Sequence, residues 1–190
     1  MTTHADRFKY NSGYGMSAYD KGSIFLSQLQ YVIGKENFDN TLKRYFDDWS
    51  FKHPKPNDFI RSAEKVSGLE LDWYLLDWAQ STMTIDYSVN SIYGVDNKTR
   101  IVLKRIGQMG MPIDLRIKLK SGETLDYNIP MTKMRGSKPL QSSTLLKSWS
   151  WAKPYYEVWL DVDSKNISKI TIDPKNEMAD INRDNNYLVL

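Results

Sequence analysis

The hydrophobic pattern of this chain changes period once, near Met83. Before that point apolar residues recur every three to four positions; after it they alternate with polar ones, and these are the periods of helices and of half-buried strands. Phe25, Leu26, Leu29, Val32 and Ile33 form a first amphipathic run, preceded by a polar, glycine-containing lead-in from Asn11 to Gly15 and stopped by Gly34. Phe38, Leu42, Tyr45, Phe46 and Trp49 form a second, with Asp39, Lys43, Arg44 and Asp47 on its polar face. The prolines of "HPKP" end it. Asn57 or Asp58 can cap a third helix that carries Phe59, Ile60, Ala63 and Val66 and closes at Gly68. A short fourth, Asp72 to Gln80, carries Trp73, Leu75, Leu76 and Trp78. Short helices joined by brief loops predict a helical bundle or one end of one.

Beyond Met83, Ile85, Tyr87 and Val89 alternate with Asp86, Ser88 and Asn90. The clearest strand is Ile113 to Leu119; "KSGET" then turns the chain, and Leu125, Tyr127 and Ile129 point inward on the return, which predicts a hairpin. Further strands read at Thr99 to Ile106, near Thr144 to Ser148, at Tyr155 to Val162 and at Ile167 to Ile172. About seven short antiparallel strands at this spacing suit an Ig-like sandwich. The expected fold is α+β in two domains. An all-α helical bundle segment covers residues 1–82, and an antiparallel β-sandwich covers 83–190. Leu188 to Leu190, the apolar end of a polar tail, either docks as a last short strand or meets a partner.

Composition narrows the functional classes. An aromatic content of 13%, with six Trp and twelve Tyr, implies packed cores. The charge of +3 comes from 26 basic and 23 acidic residues spread along the chain, with no single-sign stripe to grip nucleic acid. No apolar run approaches the ~20 residues of a membrane span, and "MTTHADRFKY" has no apolar signal-peptide region. The absence of cysteine excludes a disulfide framework, a thiolate zinc site and a cysteine nucleophile.

Candidate chemistry is sparse. A gluzincin zinc site places two histidines one helical turn apart as H-E-x-x-H, whereas His4 and His53 are far apart and in loop-like sequence. No G-x-S-x-G elbow is present. The acidic pairs Asp47 and Asp48, and Asp161 and Asp163, read as solvated surface. Gly13 and Gly15 only loosely resemble a phosphate loop, with no preceding strand and no suitably spaced lysine. Tyr19, at the start of the first amphipathic helix, reads in isolation as a core or boundary aromatic.

The order of features carries more. "AYDKGSIFLSQLQYVIGKENF", the His-Pro turn, "DF", "SGLEL" and "WYLLDW" together strongly resemble the end of the catalytic domain in zinc aminopeptidases of the aminopeptidase N family, which are gluzincin metallopeptidases. The resemblance spans about Thr3 to Trp78, and "IDP…ADINRDNN" is similar to the bacterial branch. It implies that Tyr19, in the Tyr-x-Lys-Gly start, donates its phenolic O–H to the oxyanion of the tetrahedral intermediate. By analogy with other oxyanion donors that is worth ~2–4 kcal/mol. Lys21 and Gly22 match the same motif, Gly22 suiting close helix packing and Lys21 carrying no chemistry.

The family's zinc motif, general-base glutamate, third ligand and amine-binding acids lie upstream of such a stretch, and none is present. The chain is therefore expected to be a C-terminal piece of such an enzyme, without a cofactor of its own and inactive alone. Zinc and peptide substrate belong to the full-length parent, and the missing N-terminal catalytic half is the expected partner. An exported parent, periplasmic or extracytoplasmic, is compatible with the resemblance. Two alternatives stay open. The first is a non-catalytic β-sandwich module in which Trp149, Trp151 and Trp159 of "SWSWAKPYYEVW" hold peptide or carbohydrate, against the possibility that they pack the core. The second is a piece of a glycyl aminopeptidase-like enzyme, which shares the tyrosine-lysine-glycine start but typically continues into a PDZ domain; no Gly-Leu-Gly-type loop precedes the strands here.

Overall fold

The computed structural model describes residues 3–190. The chain divides into two compact units: one ends at Met83 and takes in Lys133–Pro139, and the other comprises Thr84–Thr132 and Leu140–Leu190.

The first unit is helical. Its first two α segments, α1 (Asn11–Gly15) and α2 (Lys21–Ile33), are joined by a single π turn at Met16–Asp20. The polar, glycine-containing lead-in is thus helical, although none of its residues is buried. Burial begins in α2 with Phe25, Leu29, Tyr31, Val32 and Ile33, and Gly34 ends the helix at φ 85°, a conformation that costs glycine little. Helix α3 (Lys35–Trp49) departs from expectation in its packing: Leu42 and Phe46 are exposed and only Thr41 is fully buried. The apolar stripe is wider than the surface this chain sets against it. In α4 (Pro56–Ser67) the expected N-cap also differs. Pro56 takes the first turn, and Asp58 reaches back to accept the Lys55 amide at 2.7 Å. Gly68 closes α4 in the left-handed region.

Helix α5 (Asp72–Gln80) buries Trp73, Tyr74, Leu75 and Trp78. Tyr74 centres an aromatic cluster with Phe25, Trp73 and Trp78 and donates its hydroxyl to the Phe25 carbonyl at 2.6 Å. Burial raises its pKa well above the ordinary phenol value. The Lys133–Pro139 segment is tied in by the Glu70 amide, which donates to the Met134 carbonyl at 3.0 Å, and by Lys138 over the Tyr31 ring. At Gly136 a Cβ would stand 2.8 Å from the tip of the Leu69 side chain, which would have to shift to admit it.

The second unit consists of two sheets. One has the order β1 (Tyr87–Val95), β2 (Lys98–Arg105), β6 (Tyr155–Leu160), all antiparallel. The other runs β5 (Thr144–Leu145), β4 (Thr124–Ile129), β3 (Ile113–Leu119), β7 (Ile167–Ile172), β8 (Tyr187–Val189). The expected β3–β4 hairpin forms in the register Ile113 to Ile129 and Ile117 to Leu125. The expectation of a wholly antiparallel sandwich needs one correction, since β4 and β5 pair in parallel. Asp96 and Asn97 both have positive φ, the geometry of a tight two-residue hairpin turn between β1 and β2. Leu188 settles into β8, paired with Ile170.

Alternation then builds the core. Ile101, Leu103, Val158 and Leu160 line one sheet, and Ile113, Leu115, Ile117, Ile170 and Ile172 the other, all buried. Tyr87 is fully enclosed; its hydroxyl donates to the Met111 carbonyl and accepts the Met111 amide, and burial leads its pKa up to about 12.

Candidate functional site

Tyr19 stands on the π turn between α1 and α2. A π turn inserts one residue into the helical ladder, a feature frequent at functional sites because it re-aims side chains without ending the helix. The Tyr19 ring is 70% exposed and meets Tyr14 edge-on, with centroids 6.2 Å apart; Tyr14 in turn packs edge-on against Phe8. The hydroxyl of Tyr19 makes no hydrogen bond among the described residues. The ring is thus braced at its edge while its polar tip is unspent.

Two residues on, Lys21 begins α2 and donates from Nζ to the Ser81 carbonyl at 3.0 Å. Ser81 is the C-cap of α5, so a cation there is favoured both as a donor and by the helix dipole. Sequence reasoning missed this strut, because a backbone carbonyl sixty residues away leaves no mark in the sequence. The close helix packing expected at Gly22 is absent: a Cβ there would meet nothing within 4 Å among the described residues.

The other candidates make contacts of their own. His4 accepts the Asp6 amide on the surface, and His53 is exposed in its loop. Asp48 faces Arg44 at 3.4 Å, Asp161 pairs with Lys98 at 2.7 Å, and Asp163 accepts the Lys165 amide. Gly13 and Gly15 lie in α1. The tryptophans of the "SWSWAKPYYEVW" run are split. Trp149 is buried against Tyr87 and Tyr156, whereas Trp151 and Trp159 are about half exposed.

Comparison with known proteins bears on the helical unit first. Residues 3–78, the stretch holding the π turn and α2 to most of α5, match the family described as peptidase family M1 domain. The chain is similar to peptidase family M1 over this stretch. Related proteins include two named aminopeptidases. Glutamyl aminopeptidase of Rattus norvegicus is 31% identical over 83 residues, 44% of this chain and 8% of that protein. Aminopeptidase N of Escherichia coli is 25% identical over 71 residues, 37% of this chain and 8% of that protein. The tricorn protease-interacting factor F2 of Thermoplasma acidophilum is 26% identical over 112 residues, 56% of this chain and 14% of that protein. The chain therefore spans a small part of the length of the relatives it matches.

Among solved structures, Legionella pneumophila aminopeptidase A, in complex with aspartic acid, superposes with a TM-score of 0.54 at 18% identity. It covers 85% of this chain and 17% of that one. That share is larger than the M1 segment alone, so the sheets also take part in the likeness, which concerns the fold.

Proposed function

We propose that this chain supplies the tyrosine-bearing helical segment of a zinc aminopeptidase and has no peptidase activity by itself. The observation that carries the reading is an exposed phenol with an unspent hydroxyl, Tyr19, set on a π turn inside the M1 segment. The matched relatives include two named aminopeptidases, so the parent's reaction is taken as removal of N-terminal residues from peptides.

When a nucleophile attacks a peptide carbonyl, negative charge gathers on the carbonyl oxygen. A positioned phenolic O–H donates to that oxygen more strongly in the transition state than in the ground state, which is the condition for lowering the barrier. Tyr14 and the helix on either side of the π turn would hold the ring in place.

Zinc is the metal the family implies. Among the described residues no three His, Cys, Asp or Glu side chains stand together as a metal ion requires. This chain's residues do not fit a zinc site, and the metal would have to be held by residues outside it. The test is an assay of the purified chain with aminoacyl chromogenic substrates and added zinc. No turnover is expected; turnover that vanishes in Tyr19→Phe would overturn the inactivity. In a longer protein that contains the zinc-binding half, Tyr19→Phe should lower kcat by about 10²–10³-fold. An unchanged kcat would remove Tyr19 from the chemistry.

A further inference from the structure

The outward face of the sheet β1–β2–β6 carries aromatic rings interleaved with cations. Tyr93, Arg100 and Trp159 lie side by side across the three strands, and Lys104, beyond the Val102–Glu157 pair on the same face, faces Tyr155. The Arg100 guanidinium lies 4.6 Å from the Tyr93 centroid and 5.9 Å from that of Trp159, and the Lys104 ammonium 5.6 Å from that of Tyr155. All three rings remain about half exposed, Trp159 at 53%.

Cross-strand cation–π pairs alone would account for a stable, soluble face. They leave two facts without a role. The guanidinium meets Glu157 in an ion pair of 3.7 Å, longer than a hydrogen bond. Lys104 has no carboxylate within ion-pair distance among the described residues. The face therefore offers flat apolar surface, a cation in a long ion pair with Glu157, and a second cation without an ion-pair partner among the described residues.

We propose that this face binds an acidic glycan, a chain of pyranose rings bearing carboxylates. The apolar C–H side of a sugar ring stacks on Trp159 or Tyr155. Carboxylates on separate rings of the glycan meet Arg100 and Lys104, which stand four residues apart on β2, where charge-assisted hydrogen bonds are strong. Its hydroxyls donate to Glu157, which as a carboxylate only accepts. Single-stranded nucleic acid would also stack on the rings, but Glu157 in the middle of the face opposes a continuous run of phosphates. This inference is independent of the peptidase reading, because every residue in it lies in the second unit.

The experiment titrates the whole chain with oligogalacturonate while following indole N–H signals by NMR, Trp159 being assigned from Trp159→Phe. The Trp159 signal should move and saturate with a Kd of about 0.1–1 mM. Trp159→Ala should weaken binding at least about tenfold, and Lys104→Gln should weaken it and reduce its salt dependence, both with melting temperatures close to the parent chain. If Trp159→Ala melts early, Lys104→Gln alone decides. A stationary Trp159 signal, equal affinity for a neutral oligosaccharide of the same length, or tighter binding of an oligodeoxynucleotide or polyglutamate would each overturn the proposal.

Discussion

The Lys21 ammonium donates a 3.0 Å hydrogen bond to the carbonyl of Ser81, joining the first turn of α2 to the end of α5. Ser81 is the C-cap of α5, and Lys21 brings a charged donor to the helix end where the dipole favours a cation. Lys21→Met keeps most of the aliphatic stem but removes the donor. It should destabilise the helical unit by about 1–2 kcal/mol in urea unfolding, and Lys21→Arg should restore part of the loss. Equal midpoints for the Lys21→Met variant and the parent chain would show that the strut holds nothing.

Tyr19 makes the opposite prediction. Its hydroxyl has no partner among the described residues, and its ring, 70% exposed, meets the edge of Tyr14. Tyr19→Phe should therefore change stability by no more than about 0.5 kcal/mol. The comparison with Tyr74→Phe is instructive, because that buried hydroxyl donates to the Phe25 carbonyl and its loss should cost about 1 kcal/mol. A chain in which Tyr19→Phe costs more than Tyr74→Phe would contradict the idea that the Tyr19 hydroxyl is held in reserve.

Two carboxyls of the second unit should respond to pH with opposite signs. Asp180 is 8% exposed; its oxygens accept the Tyr87 and Asn182 amides at 2.9 and 2.8 Å. Burial, with a smaller push from Asp86, raises its pKa above the ordinary aspartate value despite those bonds. A carboxyl raised in the folded state contributes stability that is complete below the ordinary value and is lost as pH climbs through the folded one. Asp126 is held down by a two-pronged pair with Arg116, at 2.7 and 2.8 Å. Its contribution is present above the ordinary value and disappears as pH falls through the lowered one. Melting curves across about pH 3–8 should thus show Asp180→Asn removing a fall on the neutral side and Asp126→Asn removing a fall on the acid side. Parallel curves for both variants would refute the assignment.

What was legible in the sequence tracks one-sided burial. Helix α5 and strands β3 and β7 have the bounds their periodicity predicted, because each sets a regular apolar face into a core. Residues 11–20 bury nothing, so no period reports their helical backbone or the π turn. Leu42 and Phe46 show the reverse failure: an apolar stripe records what a helix can bury, not what this chain places against it. The two-residue, exposed β5 gave no signal of parallel pairing. Lys133–Pro139 joins the helical unit through a backbone carbonyl and one glycine, contacts that no local pattern encodes. Tyr19 is singled out by the motifs around it and not by any pattern of its own, whereas the contacts of Lys21 and Arg100 involve partners distant in the chain.

The three tryptophans weighed together as one platform should separate when each is removed. Trp149 is 4% exposed, packs against Tyr87 and Tyr156, and donates its indole N–H to the Lys153 carbonyl at 2.8 Å. Trp149→Ala empties the space beside a fully buried tyrosine and should cost about 3–5 kcal/mol. Trp159 contributes one exposed ring and a loose contact with Arg100, so Trp159→Ala should stay within about 1 kcal/mol. Trp151, about half exposed in the turn after Trp149, should behave like Trp159. Urea unfolding followed by circular dichroism measures all three. Similar losses for Trp149→Ala and Trp159→Ala would mean that the outer face of the β1–β2–β6 sheet is structural, and the ring of Trp159 would no longer be free to meet a ligand.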